Sequence, residues 1–220
     1  MRKTINQNEE QAYTVGAFAT EYPITQQSEG GGTLYTIYIL KGVEAPEHFA
    51  DVISVIDNAM DGDTIIIKLN TPGGSFDSAM MLRDAIKSSR ATVLAECVGS
   101  VASAGTFIAL SCAGLYIAPF CEFMIHNYSG GIYGKGNEVE AQTNFTIPHL
   151  KSVCYEVYDT FLTKKEIKKV IKGHDMYMTK AEVEERWERV IEKRTAEITE
   201  IRKQELQEHV EALQQELESL

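Results

Sequence analysis

The sequence predicts an α/β fold with a mainly parallel sheet. Short β-branched and apolar runs recur along the chain and alternate with segments in which apolar residues return at helical spacing. Glycine-containing turns such as Asp61-Gly-Asp and Thr71-Pro-Gly-Gly punctuate them. At 220 residues and 44% hydrophobic content the chain can bury one substantial core.

Residues 1–32 read as a leader, closed by a flexible break at Gly30-Gly31-Gly32. Thr33-Leu-Tyr-Thr-Ile-Tyr-Ile-Leu has the aromatic and β-branched content of a strand. Glu47 to Met60 places Phe49, Val52, Ile53 and Ile56 on one helical face. Thr64-Ile-Ile-Ile-Lys-Leu is a short buried strand, and Ser75 to Ser88 is an amphipathic helix with Met80, Met81, Leu82 and Ile86 inward. A strand at 91–98, an apolar helix at 106–112 and short strands at 115–118 and 122–125 follow. Ser129 to Gly136 is glycine-punctuated, and Phe145 to Gly173 is helical with a break near Thr163.

From Lys180 the pattern is helical without Gly or Pro. Leu206, Val210, Leu213, Leu217 and Leu220 fall at alternating steps of four and three, a heptad seam. The five-residue step from Ile201 to Leu206 breaks its phase. Residues 181–220 hold six Lys or Arg and twelve Asp or Glu, so this tail carries −6 of the formal −11. It reads as a separate acidic piece, either a coiled coil and partner-docking helix or a helix folded back on its own domain.

The negative balance disfavours a polyanionic ligand, so no nucleic-acid partner is expected. No window reaches the roughly 18 apolar residues of a membrane span, and the first residues lack an apolar signal core. The expectation is a soluble cytoplasmic protein. Cys97, Cys112, Cys121 and Cys154 form no CxxC pair or zinc spacing, which suits small buried thiols in a reducing compartment, with no metal and no cofactor.

Three segments could carry chemistry. Pro72-Gly73-Gly74 ends a strand, and paired glycines let backbone N–H groups approach a ligand, although a plain turn fits as well. Gly99-Ser-Val-Ala-Ser103-Ala104-Gly105 puts a serine among small residues at a strand-to-helix junction. A helix start offers free N–H groups to a developing oxyanion, and equally Ser103 could serve only as the helix cap. His126 closes an apolar strand, where a histidine is commonly structural; His48, His149, His174 and His209 sit in more polar contexts.

Together these segments resemble the proteolytic subunit of the Clp (caseinolytic) protease family, within the crotonase-like superfold. The resemblance rests on Lys68-Leu-Asn-Thr-Pro-Gly-Gly-Ser, Cys97-Val-Gly-Ser-Val-Ala-Ser-Ala-Gly, Phe123-Met-Ile-His-Asn, Ser129-Gly-Gly-Ile-Tyr-Gly-Lys-Gly and His174-Asp-Met-Tyr-Met-Thr, in family order. It implies a superhelix of βαβ units over residues 33–180, with a helical handle over about 133–173 and a helical tail after it. It implies Ser103 as nucleophile, His126 as general base and Asp175 as the residue orienting the histidine, with an oxyanion hole from the N–H groups of Gly74 and Ala104. Gly73, Ser129, Gly130, Gly131 and Ile132 would line a groove in which a peptide adds a strand. The implied activity is serine endopeptidase action inside a homo-oligomer of stacked heptameric rings. Its substrate would be polypeptide, fed by an AAA+ unfoldase, or capsid-type protein.

The chain departs from the family pattern in places. Ala104 stands where the family has Met, Asn127-Tyr128 stands for Gln-Pro, and a continuous helix replaces the glycine turn and closing strand after Thr179. Two other functions stay open: a weak or regulatory subunit of a Clp-like complex, and an acyl-CoA enzyme of the crotonase superfold, which would need the paired N–H groups but not the serine.

Overall fold

The computed structural model describes residues 21–29 and 31–218. The chain divides into two units, with the boundary between Cys121 and Glu122.

The first unit is a sheet layered with helices. Its strands are β1 (Ile24–Glu29), β2 (Gly32–Ile39), β3 (Thr64–Thr71), β4 (Thr92–Ala102) and β5 (Gly114–Ile117). A 3-10 turn (Pro46–Phe49) leads into α1 (Ala50–Asn58); α2 (Phe76–Ser88) and α3 (Ala104–Ser111) follow. β1 and β2 are antiparallel, whereas β2–β3, β3–β4 and β4–β5 are parallel. Each parallel step is bridged by a helix, as a parallel pair requires a crossover. Ile65, Ile67 and Leu69 of β3 and Val93, Ala95 and Cys97 of β4 are buried, as is nearly every residue of α3.

β1 corrects the sequence reading. Residues 24–29, assigned to the leader, pair with β2, and Gly32 belongs to that strand rather than to a flexible break. A Cβ at Gly32 would lie 2.2 Å from the Gly62 carbonyl oxygen, so the glycine is there for close approach. The rest of the leader, residues 1–20 and Gly30, lies outside the described residues.

The second unit contains β6 (Glu122–Ile125), α4 (Gly136–Val157), α5 (Lys164–Ile171), β7 (Met176–Met178) and α6 (Lys180–Glu218). β6 and β7 are antiparallel. Phe123, Phe161, Ile167, Val170, Met178, Val183, Trp187 and Val190 form its core. The first turns of the acidic tail therefore pack within this unit, and the helix is continuous from Lys180. Thr179 and Glu182 cap it reciprocally, the Thr179 N–H donating to Glu182 Oε2 at 2.8 Å. Arg186 grips Glu166 with two nitrogens at 2.7 and 3.1 Å, tying α6 to α5.

α4 starts at Gly136, well before the expected Phe145, because the Glu138 carboxylate accepts the Lys135 N–H at 3.1 Å and seeds the first turn. All four cysteines are buried free thiols, and burial pushes the Cys97 thiol well up and the Cys154 thiol to about 11.

Candidate active site

Ser103 occupies the junction between β4 and α3 at φ 53°, ψ −123°. A β-carbon-bearing residue reaches that conformation only at a cost of roughly 1–3 kcal/mol. Among the described residues only Thr160 shares a positive φ without being glycine. Ser103 stands at the N-cap position of α3, yet its side chain accepts no cap hydrogen bond. The capping reading therefore fails. Ser75 shows the contrast: its side chain accepts the Ser78 N–H at 3.2 Å at the start of α2. The serine at the strained turn is half-buried, with its hydroxyl uncommitted among the described residues.

The turn is braced from both sides. Thr106 returns its N–H and its hydroxyl to the Ser103 carbonyl at 2.9 and 2.7 Å. A Cβ at Gly105 would meet Thr71 Cγ2 at 2.5 Å, so the first turn of α3 is pressed against the end of β3. Gly73 packs directly on the serine. A Cβ there would lie 2.6 Å from Ser103 Cβ and 2.9 Å from the Ala104 nitrogen, and its φ of 92° also favours glycine.

Upstream, β4 carries a bulge. Leu69 faces Cys97 but Thr71 faces Val101, so three residues of β4 oppose Asn70 alone. Asn70 Oδ1 accepts the Ser100 N–H at 3.2 Å, and Gly99 turns beneath it at φ 66°. The bulge re-aims the strand end that carries Ser103. Asn70 lies inside a motif quoted for the resemblance, but its clamp was not read from the sequence. The signal lay in Gly99, a glycine inside a strand pattern, which marks a bulge.

Two N–H groups are available beside this serine. Ala104 is the first residue of α3, where no intrahelical acceptor exists for its N–H. Gly74 forms a parallel bridge with Val43 in which Val43 donates to the Gly73 carbonyl at 2.9 Å and Ser75 donates to Val43 at 2.7 Å. The flanking residues take those bonds, so the N–H of Gly74 is turned away from Val43. A Cβ at Gly74 would strike the Val43 oxygen at 2.2 Å. The first unit thus brings together the expected nucleophile, Gly73 and both expected oxyanion-hole residues.

His126 and Asp175 belong to the second unit. The β6–β7 register pairs Phe123 with Met178, Met124 with Tyr177 and Ile125 with Met176. The paired register ends at Ile125 and Met176, so His126 follows β6 and Asp175 precedes β7 at the same end of the ladder. No hydrogen bond or ion pair joins either side chain to another described residue. Asn127, the next residue, donates its side-chain nitrogen to the Ile171 carbonyl at 3.1 Å, tying the segment after the histidine to the end of α5.

Three other histidines have evident structural contacts: His48 pairs with Glu21 at 2.9 Å, His149 stacks on Phe145, and His174 meets the Lys169 carbonyl through Nδ1 at 3.2 Å; His209 is exposed on α6. Ser129, Gly130, Gly131 and Ile132, the expected groove residues, lie in an exposed segment without regular structure. Among the described residues no group of three or more His, Cys, Asp or Glu is placed to hold a metal, and no helix is long and apolar enough to cross a membrane.

Compared with known protein families, residues 37–186 match the model described as Clp protease. The match runs from β2 through the first turns of α6 and includes Gly73, Gly74, Ser103, Ala104, His126 and Asp175.

Proposed function

Because the chain belongs to the Clp protease family, and is on that ground a peptidase, we propose that it is a serine endopeptidase working through Ser103, His126 and Asp175. The observation that carries this reading is the backbone of Ser103. A serine held at φ 53° on a strand-to-helix turn, with no cap bond to make, is strain kept for its hydroxyl.

The Ser103 oxygen attacks the scissile carbonyl carbon as His126 takes the hydroxyl proton. Asp175 fixes the tautomer of the imidazole and stabilises the imidazolium that forms. The N–H groups of Gly74 and Ala104 receive the tetrahedral oxyanion, at the start of a helix where the dipole favours negative charge. Collapse returns the proton from His126 to the leaving amine and leaves an acyl group on Ser103. Water, deprotonated by the same histidine, then releases the acid. The exposed segment 129–132 accepts substrate in extended form, with backbone pairing that reads shape more than sequence.

The active form is a cytoplasmic homo-oligomer built as stacked rings, and polypeptide reaches it from an ATP-dependent unfoldase or as capsid-type protein. Hydrolysis of an unstructured fluorogenic polypeptide, followed beside native mass, tests the reading. Wild type should cleave as an oligomer and Ser103→Ala should form the same oligomer without cleaving. Cleavage by Ser103→Ala near the wild-type rate would refute it.

A further inference from the structure

We infer that the free part of α6 pairs antiparallel with α6 of a second copy of this chain. The helix has two different environments along its length. Val183, Trp187 and Val190 are buried within its own unit, whereas every residue from Thr195 to Gln215 is exposed. That outer part still carries Ile198, Ile201, Leu206, Val210, Leu213 and Leu217, with Leu206 at 64% and Leu217 at 78% exposure. A bare helix of this length gains little from propensity alone and most from covering such a stripe.

The shape of the stripe narrows what can cover it. Ile191 and Ile198 are seven residues apart, and Ile201 follows at three; Leu206, Val210, Leu213 and Leu217 then step by four, three and four. The five-residue step between the sets turns the outer stripe by about 100° relative to the inner one. The two sets therefore face different directions, and no single flat surface meets both.

Charge selects the partner and its direction. Arg189 to Lys203 holds five Lys or Arg and three Glu, a balance of +2. Gln204 to Glu218 holds five Glu and no Lys or Arg, a balance of −5. Parallel pairing would lay the acidic halves side by side. Reversed pairing lays the acidic half of each copy on the basic half of the other. With the axis at Gln204, the register sets Ile198 against Val210 and Ile191 against Leu217, and leaves Ile201 within one residue of facing Leu206. It also brings Arg202 within one residue of facing Glu205, in reach for two long side chains, and neither has an ion-pair partner among the described residues. The pairing is independent of the chemistry at Ser103.

Disulfide trapping in the full chain tests it, since the four native thiols are buried and newly placed surface thiols react alone. Two thiols brought within disulfide reach lose two protons and two electrons to diamide, the added oxidant. I198C/V210C should give a covalent dimer on a non-reducing gel, while I198C and V210C alone stay monomeric. Adding E205R to I198C/V210C should remove most of the dimer band, and adding R202E with it should restore the band. Dimers from either single variant would establish parallel pairing and overturn the inference. So would absence of a dimer from I198C/V210C, which would mean that another protein covers the stripe or that it stays bare.

Discussion

Replacing Ser103 by glycine should stabilise the protein relative to replacing it by alanine, although neither variant can act as a nucleophile. Alanine keeps a β-carbon at φ 53°, ψ −123° and so keeps the strain. Glycine releases about 1–3 kcal/mol and loses roughly 0.5–1 kcal/mol to the greater freedom of its unfolded chain. The net is about 1 kcal/mol in favour of Ser103→Gly. For a chain of this size that corresponds to roughly 2–4 °C in Tm. Melting and urea titration should be run on both variants at one protein concentration, because the proposed assembly would make apparent stability concentration-dependent. Equal slopes in urea with a higher midpoint for Ser103→Gly is the expected result. A midpoint equal to or below that of Ser103→Ala would mean that the backbone at 103 is not strained, and the main support for Ser103 as nucleophile would fall.

Gly73→Ala should slow acylation of Ser103 by about 100-fold if the serine moves by an ångström, since the new Cβ would come within 2.6 Å of Ser103 Cβ; an unchanged labelling rate would show that the two segments can part freely. Asp175→Asn should lower kcat by as much as ~10,000-fold with little change in KM, while His174→Ala stays near wild type; the reverse pattern would misplace the third residue of the triad. The bond from Arg186 holds the Glu166 carboxyl down from 4.5 to about 2. Its folded-state pKa is depressed, so its contribution is complete above the unfolded value and fades as pH falls from about 4.5 toward 2. The urea-midpoint gap between wild type and Glu166→Gln should accordingly be widest near neutrality and close across that window; a gap constant from pH 6 to pH 2.5 would assign the contact no electrostatic role.

The strands β3 and β5 and the helix α2 were readable because each is an apolar run or an amphipathic stripe bounded by turn residues. β1 was not, since Ile-Thr-Gln-Gln-Ser-Glu carries one apolar residue and owes its conformation to pairing with β2. β7 is three residues long, too short for any periodicity, and Asp175 lies just ahead of it. The opening of α4 was missed because Gly136 to Asn144 has a single large apolar residue, Val139, and the turn is seeded by Glu138 instead. At the site, residue types and order singled out Ser103, His126 and the glycine pair. The sequence could not carry the features that separate a nucleophile from a cap, namely the left-handed φ of Ser103, the bulge clamped by Asn70 and the pressure of Gly73 on the turn. These arise from the meeting of β3, β4 and α3, which local sequence does not encode.

The most direct measurement is reaction of the wild-type protein with a fluorophosphonate, followed by digestion and mass mapping of the adduct. A single stoichiometric adduct on Ser103, absent from Ser103→Ala and suppressed in His126→Ala, is the result expected of an activated serine. An adduct on Ser75, Ser100 or Ser129, or no adduct on a folded and assembled wild-type protein, would contradict the assignment.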